Sequence, residues 1–247
     1  MTPVQQRNLI IVLLSAGTLI LLIAAGIALT RSQRDVPIAA PANVATAEPS
    51  FTFFELDRGT ILTRDLRKSL SEKLGSDAIA HSTPLDLTVF ERAFMQAHLP
   101  VLDELNQQLN PRAGERKEHD TTRLTYHRAT KQNLPFRFIE LFFSNRTGLP
   151  LYFVINPTSD FEDTIATLTS KYGPPRMVPT EHADDSVRLW EREGDILAAI
   201  TFRRRNGRLV QELRMVFVEN LQQLIESEKQ ALRQQNRSTR QAGQSAF

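Results

Sequence analysis

The chain has 247 residues, with 30 basic and 28 acidic side chains and a formal net charge of +2, so charge alone does not mark it as a nucleic-acid binder. It contains no Cys, which excludes a disulfide scaffold, thiolate metal or redox sites, and a lipid-modified cysteine anchor. Its 41% hydrophobic content, 13 Pro and 10 Gly exclude collagen-like and wholly disordered chains.

Residues 1–8 form a short head carrying Arg7. Residues 9–29 read LIIVLLSAGTLILLIAAGIAL without a single charge. As a helix this run spans roughly 30 Å, the thickness of a bilayer core. It is longer than the apolar region of a cleaved signal, and Arg31 and Arg34 follow it where small neutral residues would be needed. We therefore expect an uncleaved single transmembrane helix. Basic residues are nearly balanced on its two sides; the short head favours an N-terminus inside and a C-terminal part outside. Residues 30–50 are rich in Ala and Pro and read as an extended linker.

Residues 51–115 read as a small helical subdomain. Phe51–Leu56 is a short aromatic strand or hydrophobic lead-in. Thr63 caps a helix carrying Leu66, Leu70 and Leu74, and Gly75 stops it. Thr83-Pro84-Leu85-Asp86 has the pattern of a helix start, with Leu87, Phe90, Phe94 and Ala97 on one face. Pro100 opens another helix with Leu102, Leu105 and Leu109, and these leucines are expected to fill a core of their own.

Residues 116–220 read as an antiparallel α+β module. The apolar period falls to two near residue 121, and FRFIELFFS (residues 136–144) is apolar on both sides. Asn145–Gly148 turns the chain back into Leu149–Ile155. A helix over 160–172 ends at Gly173-Pro174-Pro175; strands follow around Trp190, over 196–202 and over 209–217, the last two joined at Asn206-Gly207. Hairpins and one helix imply an antiparallel sheet with a helix packed on one face. The run Leu168–Pro174, with a Trp strand and two further strands after it, is similar to small bacterial envelope modules. Residues 221–247 read as a terminal amphipathic helix passing, near Asn236, into a disordered tail.

The chemical inventory is thin. The chain has five His, none paired at metal-ligand spacing. Glu118-His119-Asp120 with His127, and Glu181–Asp185, are the two places where ligands for a cation gather. There is no Gly-x-Ser-x-Gly elbow, and Ser69 and Lys73 miss the Ser-x-x-Lys spacing by one residue. No cofactor and no enzymatic activity are expected. An interaction surface is expected instead. The aromatic run offers Phe136, Phe138, Phe142 and Phe143, and a second strand offers Trp190. The hairpin tip adds Arg203, Arg204, Arg205 and Arg208, with Glu191, Glu193, Asp195 and Glu212 as expected cross-strand partners.

Together these features predict an inner-membrane, single-pass protein whose periplasmic α+β module binds another envelope protein as an interaction or scaffold element. Its expected partners are the bilayer, through residues 9–29, and that protein, with no nucleic acid. A membrane-tethered ligand sensor or hydrolase, and a structural subunit of a secretion or pilus platform, are the alternatives.

Overall fold

The computed structural model describes residues 50–111, 117–127, 134–158, 161–204 and 206–245. The expected head, membrane span and linker up to residue 49 lie outside the described residues. Among the described residues no helix is long and apolar enough to cross a membrane.

The fold is α+β. One antiparallel sheet contains β1 (Ala78–Pro84), β2 (Glu118–Tyr126), β3 (Phe136–Ser144), β4 (Pro150–Pro157), β5 (Arg176–Val178), β6 (Ser186–Arg192), β7 (Asp195–Arg203) and β8 (Leu209–Val216). Their spatial order is β1-β2-β3-β4-β8-β7-β6-β5. The helices are α1 (Arg64–Leu74), α2 (Arg92–His98), α3 (Pro100–Leu109), α4 (Phe161–Tyr172) and α5 (Val218–Ser245).

This order resolves into two equivalent halves. Helix α1 leads into the meander β1–β4, and α4 leads into the meander β5–β8. The last strand of each half, β4 and β8, pair antiparallel at the centre of the sheet. Both leading helices end in the same way. Gly75 (φ 91°) donates its N–H to the Ser71 carbonyl at 3.0 Å, and Gly173 (φ 83°) donates to Thr169 at 2.9 Å. The left-handed backbone at each suits glycine, which lacks the Cβ that would clash there. The halves differ in that the first inserts α2 and α3 between β1 and β2.

Helices cover both faces of the sheet, where the sequence suggested one. On the first face, Leu70 and Leu74 of α1 and Phe161, Ile165 and Tyr172 of α4 pack over Leu124, Leu141, Phe143, Phe153 and Trp190. On the second, Met95, Leu102 and Leu109 join Leu221, Leu224 and Ile225 of α5 over Tyr152, Val187, Ala198, Ile200 and Val216. The run FRFIELFFS is apolar on both sides for this reason. Ile139, Leu141 and Phe143 enter one core, and Phe142 enters the other. The leucines of 51–115 do not fill a core of their own, because they divide between these two layers.

Two boundaries also differ from expectation. Thr83-Pro84 does not start a helix: Ala78–Pro84 pairs with β2, and the Thr83 hydroxyl bonds Thr121 Oγ1 at 2.8 Å rather than capping a turn. Pro84 ends an edge strand, where its missing N–H costs no ladder bond. The terminal helix continues past Asn236 to Ser245. Gln and Arg are good helix formers, and Ser238 and Thr239 return their hydroxyls to the carbonyls of Gln234 and Gln235.

Candidate functional site

The second face is not fully covered. Over β2, β3, β4 and β8 it leaves a groove of about 510 Å³, walled on one side by Pro84, Asp86 and Thr88. Its floor is built from alternate strand positions. Phe142 and Tyr152 are cross-strand partners, and their rings stack at 4.2 Å and 9°. Arg123, opposite Phe142 in the β2–β3 register, holds its guanidinium 6.0 Å from that ring's centre.

Two arginine–carboxylate pairs stand on this floor. Arg123 Nη1 donates to Glu140 Oε1 at 3.3 Å, and Arg214 Nε donates to Glu212 Oε1 at 2.7 Å. Arg214 also donates to the Thr88 carbonyl at 2.9 Å, which ties the wall to β8. Asn156 lines the groove and donates to the Gln211 carbonyl at 3.1 Å. Arg123 Nε is buried with no hydrogen-bond partner among the described residues. Burial pushes the Glu140 carboxyl above the usual range, against the pull of Arg123. Burial likewise pushes the Tyr152 hydroxyl up. The groove therefore holds polar groups whose mutual pairing is incomplete, in surroundings that strengthen a new charged contact.

A second cluster lies where α5 meets β2. Glu228 accepts from His119 Nδ1 at 3.0 Å and from Lys117 Nζ at 2.6 Å, and takes the Asp120 N–H at 3.3 Å. A carboxylate only accepts, so His119 Nδ1 carries the proton. Although burial opposes it, these bonds and the neighbouring positive charge hold the Glu228 carboxyl down at about 2. His119 Nε2 is buried without a partner among the described residues. The cluster joins a helix to an edge-proximal strand, and the Thr121 hydroxyl donates to the His119 backbone carbonyl at 3.3 Å rather than to its ring.

The expected surface residues divide. Phe138 is half-buried, lines the groove and packs on His127 at 5.1 Å. Phe142 is the groove floor, and Arg204 lines its rim. Phe143 and Trp190 are buried in the opposite core and present no contact surface. Trp190 instead donates its indole N–H to the Gly173 carbonyl at 2.7 Å, fastening the end of α4 to β6. Phe136 packs against Phe53 at 5.5 Å at the edge of that core. Arg203 pairs with Asp184 at 3.1 Å and Arg208 is exposed at the tip; Arg205 lies outside the described residues. The expected cross-strand acids pair elsewhere: Glu191 with Arg176, Glu193 and Asp195 with Arg58, and Glu212 with Arg214.

Sequence reasoning missed Arg123, Glu140, Asn156 and Arg214, and gave Glu212 a different partner. A signal was present: Glu140 interrupts the otherwise apolar run 138–143 in a strand covered on two faces, and a charge there needs a partner. Among the described residues no group of three or more His, Asp or Glu is placed to hold a metal ion. Compared with protein-family models, curated proteins and solved structures, the chain matches none.

Proposed function

We propose that the chain is a single-pass, membrane-anchored binding module of a bacterial envelope, and that it takes a segment of a partner protein into the groove on β2, β3, β4 and β8. The anchor rests on the uncharged run of residues 9–29. The observation that carries the binding role is the charge layout of the groove. Three arginines (Arg123, Arg204, Arg214) and three acids (Asp86, Glu140, Glu212) line one cleft.

A lone anion entering there meets Glu140 and Glu212. A lone cation meets Arg123 and Arg214. A fatty chain finds Pro84, Phe138, Phe142, Tyr152 and Val154, but they are interspersed with six charged side chains. A polypeptide segment supplies N–H, C=O and side chains of both signs, so it can satisfy Arg123 Nε and the free lone pairs of Glu140 together. This layout favours a protein partner over a small charged ligand or a hydrolase substrate. The outward face of the module is periplasmic in this reading, with the short head inside.

The test is site-directed photo-crosslinking in native membranes. A photoreactive residue at Asn156, on the groove, is expected to yield a protein adduct in the alkaline-washed membrane pellet. The same residue at Met177, exposed on the far edge strand β5, serves as the control. Equal adducts from both positions, or full-length chain in the supernatant, would overturn the reading.

A further inference from the structure

The distal half of α5 extends free of the cores that hold its base. Residues 230–241 are all exposed, although the helix base is buried through Leu221, Leu224 and Ile225. With 28 residues the helix is about 42 Å long. After Glu228 the sequence contains no acidic residue, while Lys229, Arg233, Arg237 and Arg240 are basic. Arg233, Arg237 and Arg240 are spaced i, i+4 and i+7, so they share one stripe of the helix.

That stripe turns away from the body. Glu228, which docks the helix on β2, is on the same face as Leu232 and Gln235, and all three line one cavity with His119. At about 100° per residue, Arg233 lies roughly 140° round the helix from Glu228. No hydrogen bond or ion pair within the described residues uses Arg233, Arg237 or Arg240 as a donor. Glu226, two turns earlier on the same side, pairs with Lys229 at 2.9 Å and feels Arg233 through space; from Arg233 to Arg240 the stripe is a solvent-facing row of cations with no acid interleaved.

We propose that this row docks on the anionic surface of the bilayer that holds the chain, contacting lipid phosphate groups and laying the distal α5 along the membrane. The inference rests on the anchored reading above, which keeps a lipid surface within reach of every copy. The 21 residues from 30 to 50 can reach at most about 70 Å, so the bilayer is present at high effective concentration. Arginine suits the role because its planar fork pairs with phosphate oxygens. An acidic protein would satisfy the same charges, and the test separates the two.

The chain lacks Cys, so Gln241→Cys gives one labelling site on the exposed helix. The labelled full chain is placed in lipid nanodiscs of phosphatidylcholine alone, or mixed with phosphatidylglycerol, each carrying an acceptor dye on a headgroup. Energy transfer should report a docked-to-free ratio roughly tenfold higher in the anionic discs, falling as salt is raised. The variant R233Q/R237Q/R240Q should abolish the difference. Equal transfer in both discs, as expected were the stripe's partner an acidic protein, overturns the proposal, and so does an unchanged triple variant. A chain that enters neither disc refutes the anchor instead. The stripe is then judged by cosedimentation of the full chain with vesicles of the same two compositions, where only the anionic vesicles should bind, and only the unsubstituted stripe.

Discussion

Asp195 caps Val218: its Oδ1 accepts the Val218 backbone N–H at 3.1 Å, so the first residue of β7 holds the first residue of α5. The other carboxylate oxygen takes the hydroxyl of Ser50 and stands 3.8 Å from Arg58. One buried side chain thus joins Ser50, the first described residue, to the start of the terminal helix. Asp195→Ala should cost roughly 2 kcal/mol in urea unfolding, because it strands a buried hydroxyl and a helix-end N–H. Burial raises the Asp195 carboxyl above its ordinary value, against the bonds from Ser50 and Val218. A raised acid binds its proton more readily when folded, so its contribution to stability declines as pH rises through that interval. The Ala variant should lose this part of the slope.

Glu228 has the opposite sign. Its carboxyl is held at about 2, below the ordinary 4.5, by His119 and Lys117 despite burial. The folded state therefore favours the ionised form. The resulting stability is present above pH 4.5 and is lost as pH falls toward 2. Glu228→Gln should cost roughly 2 kcal/mol at neutral pH and flatten the acid limb of the stability curve. Amide hydrogen exchange should show the loss concentrated in α5 and β2.

Gly148 and Gly194 both lie in the left-handed region, at φ 72° and 83°. A Cβ at Gly148 would stand 2.8 Å from Ile61 Cγ2, whereas one at Gly194 meets nothing within 4 Å. Gly194→Ala should cost about 1 kcal/mol, the backbone penalty alone. Gly148→Ala should cost more, about 2 kcal/mol, since it also disturbs the 2.8 Å bond from Leu62 N–H to the Gly148 carbonyl. Thermal unfolding of the two variants side by side reads the difference.

Trp190 is the only tryptophan and is 3% exposed. Its emission should be blue-shifted in the folded chain and move to the red in one step on unfolding. Trp190→Phe should destabilise by roughly 2 kcal/mol, from the lost bond to Gly173 and the smaller ring.

The sequence made the local signals legible. Thr63 caps α1 through the Leu66 N–H at 3.1 Å, the Gly173 stop ends α4, and Asn206-Gly207 closes the β7–β8 hairpin. What it hid was set by distant pairing. Thr83-Pro84 has good helix-start chemistry, but the edge of β2 claims that segment. The two α-plus-meander halves share Lys-x-Gly at their helix ends and little else, so their equivalence emerges only from strand order. The groove was hidden for the same reason. Arg123, Glu140, Glu212 and Arg214 come from three strands, and only the β2–β3, β3–β4 and β4–β8 registers bring them together.

The groove reading is tested most directly by exchanging one charge pair. Arg123→Glu alone places like charges beside each other and should lower stability by about 1 kcal/mol. The double variant Arg123→Glu/Glu140→Arg restores an internal pair of reversed polarity and should recover most of that loss. Crosslinking from Asn156 in native membranes is then compared across the original and exchanged grooves. A protein adduct that disappears in the stable double variant is the expected result; the same adduct at the same yield would show that the groove does not select the partner.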